Sequence, residues 1–232
     1  MKKGISNISV YSGLIAPISF GLIFTIEGLF RENYSAMNNF ISELSIGNKG
    51  WIQIANFLIF GFLFFVFSMG LLQEFQKRRL STIGPILFLI LASCYFFSGP
   101  FVTDSGTIFT QQKSVHGIIH GVLGAIVFLL MTVSSWTFLI LFKKEKVFKS
   151  LKNVTLLFAI ILTLFLIAFT YVTKVPTSQN IFQNLNGLFQ RLALIPFMVW
   201  LFYFAFSIKN VLTKYDKIID MQNNEPPTRA LR

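Results

Sequence analysis

His116 and His120 are the only histidines in the chain, and they stand four residues apart in HGIIHG. On a helix, side chains at i and i+4 share one face about 6 Å apart, a spacing that suits a single metal ion. Asp104 lies just upstream, and Glu43 sits in a separate polar segment. With His116, His120 and Asp104 as ligands, a Zn2+ ion would keep one position for water. It would lower that water's pKa to about 7 and make it a nucleophile. Glu43 would then be the general base. Arg191 would hold a phosphate or carboxylate bidentately, with Asn56 as a further polar contact to substrate. The same residues also fit a plain network of hydrogen bonds between helices, because HxxxH lacks a third histidine. A haem fits less well, since bis-histidine ligation takes its two histidines from opposite sides of the iron.

The elements that must position these residues are apolar. Of 232 residues, 54% are hydrophobic and 12% charged, with a mean hydropathy of +0.67. A soluble domain usually carries about 25% charged residues. The composition implies an all-α polytopic membrane protein. Apolar runs cover residues 10–30, 51–72, 83–100, 115–142, 154–172 and 188–208. Each is long enough to cross a hydrocarbon core of about 30 Å. The fourth must tilt or extend past the interface. The first run is longer than a signal-peptide core and ends in IEGLFREN with no small-residue cleavage site, so a retained first helix is expected. The single cysteine, Cys94, falls inside an apolar run and offers no intrachain disulfide.

Charge gives the expected orientation. The net charge is +11, but its distribution excludes a nucleic-acid surface. MKK, QEFQKRRLST, KKEKVFKSLKN and the segment after Ile208 hold 2, 3, 5 and 5 basic residues, three quarters of the 20. By the positive-inside rule both termini are cytoplasmic, and these segments attract anionic membrane lipid. The segment 209–232 reads as a cytoplasmic tail whose polar, proline-containing end is expected to be disordered. His116, His120, Asn56, Glu27, Arg191, Glu43 and Asp104 then share one level near the outer surface. In the first outer segment Tyr34, Met37, Phe40, Ile41 and Leu44 recur at helical spacing, which predicts a short helix lying on the interface. Gly117 and Gly121 predict a small-residue stripe for close helix packing.

The first helix leading into YSAMNNFISELSIGNKGW, then ANF at 55–57, GPFVTD at 99–104, HGIIHG at 116–121 and GLFQRL at 187–192 carry a resemblance. The chain resembles the six-helix prokaryotic membrane family catalogued as domain of unknown function 998, from about Tyr11 to Ile208. The resemblance implies a six-helix bundle with shared polar positions at Glu43, Asn56, Asp104, His116, His120 and Arg191. It implies no established activity. Where similar proteins often carry a second proline soon after the aspartate, this chain has Ser105-Gly106.

Three function classes follow. One is a zinc-dependent membrane hydrolase or transferase acting on a lipid or other amphiphile. The second is a transporter or small-molecule binding protein, which predicts polar residues through the midplane and broken helices. The third is a non-catalytic accessory or structural subunit. No glycine-rich phosphate loop, GxSxG elbow or CxxC pair occurs in the chain.

Overall fold

The computed structural model describes residues 5–105, 113–175, 182 and 184–224. Six helices run through it: α1 (Asn7–Phe30), α2 (Gly50–Lys77), α3 (Ile83–Phe97), α4 (Val115–Lys144), α5 (Lys149–Lys174) and α6 (Asn186–Asn224). There is no strand among the described residues. Five of these helices are long and apolar enough to span a membrane, and α3 is a shorter apolar helix. At 15 residues it rises roughly 22 Å, and a turn at Ser98–Phe101 continues the chain beyond it. The architecture is the expected polytopic helical bundle.

Each helix packs on the next in sequence, and α1 packs on α6, so the six close into a ring. The ring is filled by aromatic side chains. Phe60, Phe64, Phe88, Phe138, Phe197, Trp200 and Phe204 are fully buried and meet edge to face or tilted, with Trp200 stacked on Phe204. With lipid outside, burying such rings gains little from the hydrophobic effect, so packing and dispersion hold the bundle. Several hydroxyls in the spans are satisfied within their own helix, and one indole bonds across helices. Ser68, Ser93, Thr163 and Thr170 donate to the carbonyl four residues back, and Trp200 Nε1 donates to Thr155 Oγ1 at 3.1 Å.

The two ends of the bundle differ. At the end that carries the chain's basic segments, the start of α1 meets α6 through Lys209 Nζ and Asn7 Oδ1 at 2.8 Å. There α6 continues as helix through residues 209–224, where composition alone read a tail. The expected disorder at the end of the chain concerns residues outside those described. This extension brings Asp216 to Arg78, which also pairs with Glu74 one turn back in α2. The opposite end holds irregular chain and the candidate site.

Residues 31–49 at that site end correct one expectation. No helix lies on the surface. The segment turns inward and forms a short 3-10 helix, Ile41–Ser45, whose Ile41 and Leu44 are buried in the core. Non-helical backbone at this depth needs partners from the protein, and α6 supplies them. Leu188 N donates to Met37 O at 2.9 Å, and Gln190 Oε1 accepts from Ile41 N at 2.6 Å. We call residues 31–49 the plug. Gly187 is a glycine because the Ala36 and Asn39 carbonyls occupy the space a Cβ would fill.

Candidate functional site

The site is built around the first two turns of α4. Ser114 caps this helix, its Oγ accepting from Gly117 N at 2.9 Å. Asp104 accepts from the same serine twice, from N at 3.0 Å and from Oγ at 2.6 Å. A carboxylate at a helix N-terminus is favoured by the dipole and the free N–H groups. Gly117 leaves it room, since a Cβ there would collide with the Asp104 carboxyl. Asp104 therefore joins the chain after α3 to the start of α4.

The two histidines do the same from one turn further on. His120 is buried, and its Nδ1 lies 2.7 Å from the Phe101 carbonyl. His116 is exposed, and its ring packs on the Phe101 ring at 5.5 Å. One meets the ring of Phe101 and the other its carbonyl. Among the described residues no group of three His, Cys, Asp or Glu is placed to hold a metal ion.

A cavity of about 460 Å³ opens beside this helix, between α4, α5, the plug and the start of α6. Asp104, Lys113, Thr173 and Lys174 line it around the start of α4 and the end of α5, with His120 in the second turn of α4. Ala125, Phe128 and Phe169 line it further along these helices, with Phe40 packed on Phe169. Phe128 and Phe169 pack together at 4.5 Å. Gly121 and Gly124 border the cavity, and among the described residues a Cβ on either would meet nothing within 4 Å. The predicted packing stripe is thus not one: Gly117 faces Asp104, and Gly121 faces open space. A smaller space of about 50 Å³ adjoins the first and shares Ser42, His120, Gly124, Phe128 and Gln190 with it.

Asp104 and His120 reach this cavity; Glu43, Asn56, His116 and Arg191 do not line it. Both oxygens of Glu43 serve the plug, accepting from Phe40 N at 2.8 Å and Asn39 Nδ2 at 2.9 Å. Arg191 staples the plug to α6. Its Nη1 donates to the carbonyls of Ala36, Asn39 and Gly187 at 2.7, 3.1 and 2.9 Å, and its Nη2 to the Tyr34 hydroxyl at 2.5 Å. Burial raises the Tyr34 phenol above its ordinary value, although Arg191 beside it acts the other way. It therefore keeps its proton and donates to Phe40 O at 3.1 Å.

Asn56 lies between α1 and α2, where its Nδ2 donates to Phe20 O at 3.2 Å and Gln53 Oε1 at 3.1 Å. Asn56 Oδ1, Gln53 Nε2, Glu27 Oε2 and Arg31 Nε are enclosed without a partner among the described residues. Glu27 and Arg31 pair with each other, and Arg31 also donates to the plug carbonyls of Leu44 and Ile46.

Sequence reasoning gives Ser42, Gln190, Lys113 and Lys174 no role. Their signal was weak, because a lone serine or lysine in a loop carries no spacing rule.

An apolar six-helix bundle with a mixed polar and aromatic cavity at one end defines a polytopic membrane protein. Its family is now plain: the chain belongs to the family described as protein of unknown function (DUF998), whose model matches residues 14–207. This bears out the resemblance carried by the motifs. No curated protein and no solved structure matches the chain.

Proposed function

We propose that this protein resides in the cytoplasmic membrane, with both termini inside, and takes an amphiphile into its outward-facing cavity for hydrolysis or group transfer. The described basic residues Lys77, Arg78 and Arg79, the lysines of 143–152, and Lys209, Lys214 and Lys217 support the orientation, since they lie at the end away from the cavity. The observation that carries the reading is the graded lining. Lys113, Lys174, His120 and Asp104 stand at the polar end, and Phe40, Phe128 and Phe169 at the apolar end. A head group and a hydrocarbon chain need those two surroundings in that order. Ile118 and Val122, exposed apolar residues of α4, also border the cavity, which therefore reaches the flank that faces lipid. Lys113 and Lys174 make the polar end suited to an anionic head group.

The test is lipid retention. Native mass spectrometry of the detergent-purified chain should find close to one amphiphile bound, released on denaturation. Gly124→Leu fills the cavity without meeting a neighbouring atom at its Cβ. It should lose the amphiphile while melting unchanged. Equal retention by both proteins would remove the cavity from the proposal.

A zinc-dependent form of this chemistry is a second reading. What favours it is the bond from His120 Nδ1 to a backbone carbonyl, the usual way a metal-ligating histidine is held. It requires Asp104 to exchange Ser114 for the metal, and His116 to leave Phe101. Metal content of the purified chain, compared with a His116→Ala, His120→Ala variant, decides it. Stoichiometric zinc lost in the variant supports the reading, and a metal-free wild type supplied with zinc removes it.

A further inference from the structure

We infer that Ser42 and His120 form a nucleophile–base pair that cleaves an ester bond in an amphiphile, with Gln190 donating to the oxyanion; this rests on the cavity holding an amphiphile. All three residues line the large cavity and also the smaller space beside it. That smaller space, about 50 Å³, is on the order of one or two water molecules. Ser42 comes from the plug, His120 from α4 and Gln190 from α6, so this space is where three separate segments meet.

Each group is prepared for its part. Ser42 is buried, yet its hydroxyl has no hydrogen-bond partner among the described residues and is not one of the enclosed, unpartnered atoms. Ser12 in α1 shares this state away from the cavity, whereas Ser45, Ser68, Ser98, Ser134 and Ser135 each donate to a backbone carbonyl. His120 Nδ1 faces the Phe101 carbonyl at 2.7 Å. A carbonyl only accepts, so Nδ1 carries the ring hydrogen and Nε2 is the nitrogen left to act as base, with the Ser98 backbone as a second partner of the ring. Gln190 Oε1 is committed to Ile41 N at 2.6 Å, which fixes the amide and leaves Nε2 as the donor. Because Ile41 precedes Ser42 in the chain, that bond also fixes the amide relative to the nucleophile.

The reaction needs only an ester and water. Ser42 Oγ bonds to the ester carbonyl carbon while its proton passes to His120 Nε2. The carbonyl oxygen takes the negative charge beside Gln190 Nε2. Collapse breaks the bond to the alcohol oxygen, and the alcohol leaves with the proton from His120. Water, deprotonated by His120, then attacks the acyl carbon, frees the carboxylic acid and returns the proton to Ser42. The Phe101 carbonyl orients the imidazole, the part a carboxylate plays in a serine triad.

The experiment is labelling of the full-length chain in detergent micelles with a decyl fluorophosphonate, followed by peptide mapping. The expected result is one phosphonyl group per chain, on Ser42, with a rate unchanged by EDTA. Ser42→Ala should take no label, and His120→Gln should label at least about 100-fold more slowly. An unlabelled wild type, a label on another serine, or labelling that needs zinc would each overturn the pair. If the wild type is unlabelled but retains an amphiphile that Gly124→Leu loses, the cavity reading stands and the serine mechanism falls. If it holds neither amphiphile nor probe, both fall.

Discussion

Arg78 and Arg191 sit at opposite ends of the bundle, and each ties α6 to another part of the chain by different means. Arg78 is almost fully enclosed and meets two carboxylates. It donates to Asp216 through Nε at 2.9 Å and Nη2 at 2.5 Å, and to Glu74 Oε2 through Nη1 at 2.5 Å. Burial alone would lower its pKa, but the hydrogen bonds and charges of Asp216 and Glu74 hold it above its ordinary value. Arg191 meets no carboxylate, only three carbonyls and a phenol. One arginine is held by carboxylates and the other by carbonyls. At the basic end an ion pair joins the end of α2 to α6. At the cavity end hydrogen bonds to backbone carbonyls join α6 to the plug.

This contrast can be broken by mutation. Arg78→Ala leaves Asp216 unpaired and Glu74 with Lys77 alone, and should cost about 3 kcal/mol in reversible unfolding from mixed micelles. A loss below 1 kcal/mol would mean that these charges are solvated and the ends alike. Arg191→Lys should cost less, about 2 kcal/mol, because an ammonium cannot serve three carbonyls and a phenol at once. Hydrogen exchange should rise in residues 31–49 and stay unchanged around Arg78. If both regions loosen together, the two ends do not act as separate locks. The smallest effects separate two neighbouring glycines. Gly117→Ala should cost about 1–3 kcal/mol by displacing the Asp104 carboxyl. Gly121→Ala, which enters open space, should gain up to about 1 kcal/mol from helix propensity. Equal effects would remove the special role of Gly117.

How much of this was legible in the sequence depended on whether a residue's partners were near it in the chain. Apolar runs and the i, i+4 histidines are local patterns, and the six helices and the position of His120 followed from them. The plug was misread because Tyr34, Met37, Phe40, Ile41 and Leu44 do recur at helical spacing. What overrides that periodicity is α6, some 150 residues away, whose Leu188, Gln190 and Arg191 capture the plug's carbonyl and amide groups. Arg191 looked like an anion anchor for the same reason, since a sequence shows the charge but not the carbonyls that claim it. The Glu74–Arg78 pair has i, i+4 spacing and was open to recognition. Its segment was read for topology alone, and Asp216 lies in a stretch that composition assigned to a tail. Ser42 had no pattern to betray it, because its significance rests on His120 and Gln190 from two other helices.

The glycine-edged flank of the cavity has a consequence for supply. A pocket entered from the side draws on molecules already dissolved in the bilayer, so its occupancy follows mole fraction in the leaflet and not concentration in water. Two amphiphiles with the same head group but very different solubility would then compete as equals once each is in the membrane. Detergent would compete as well, as a rival guest, and occupancy would fall as micelles dilute the lipid.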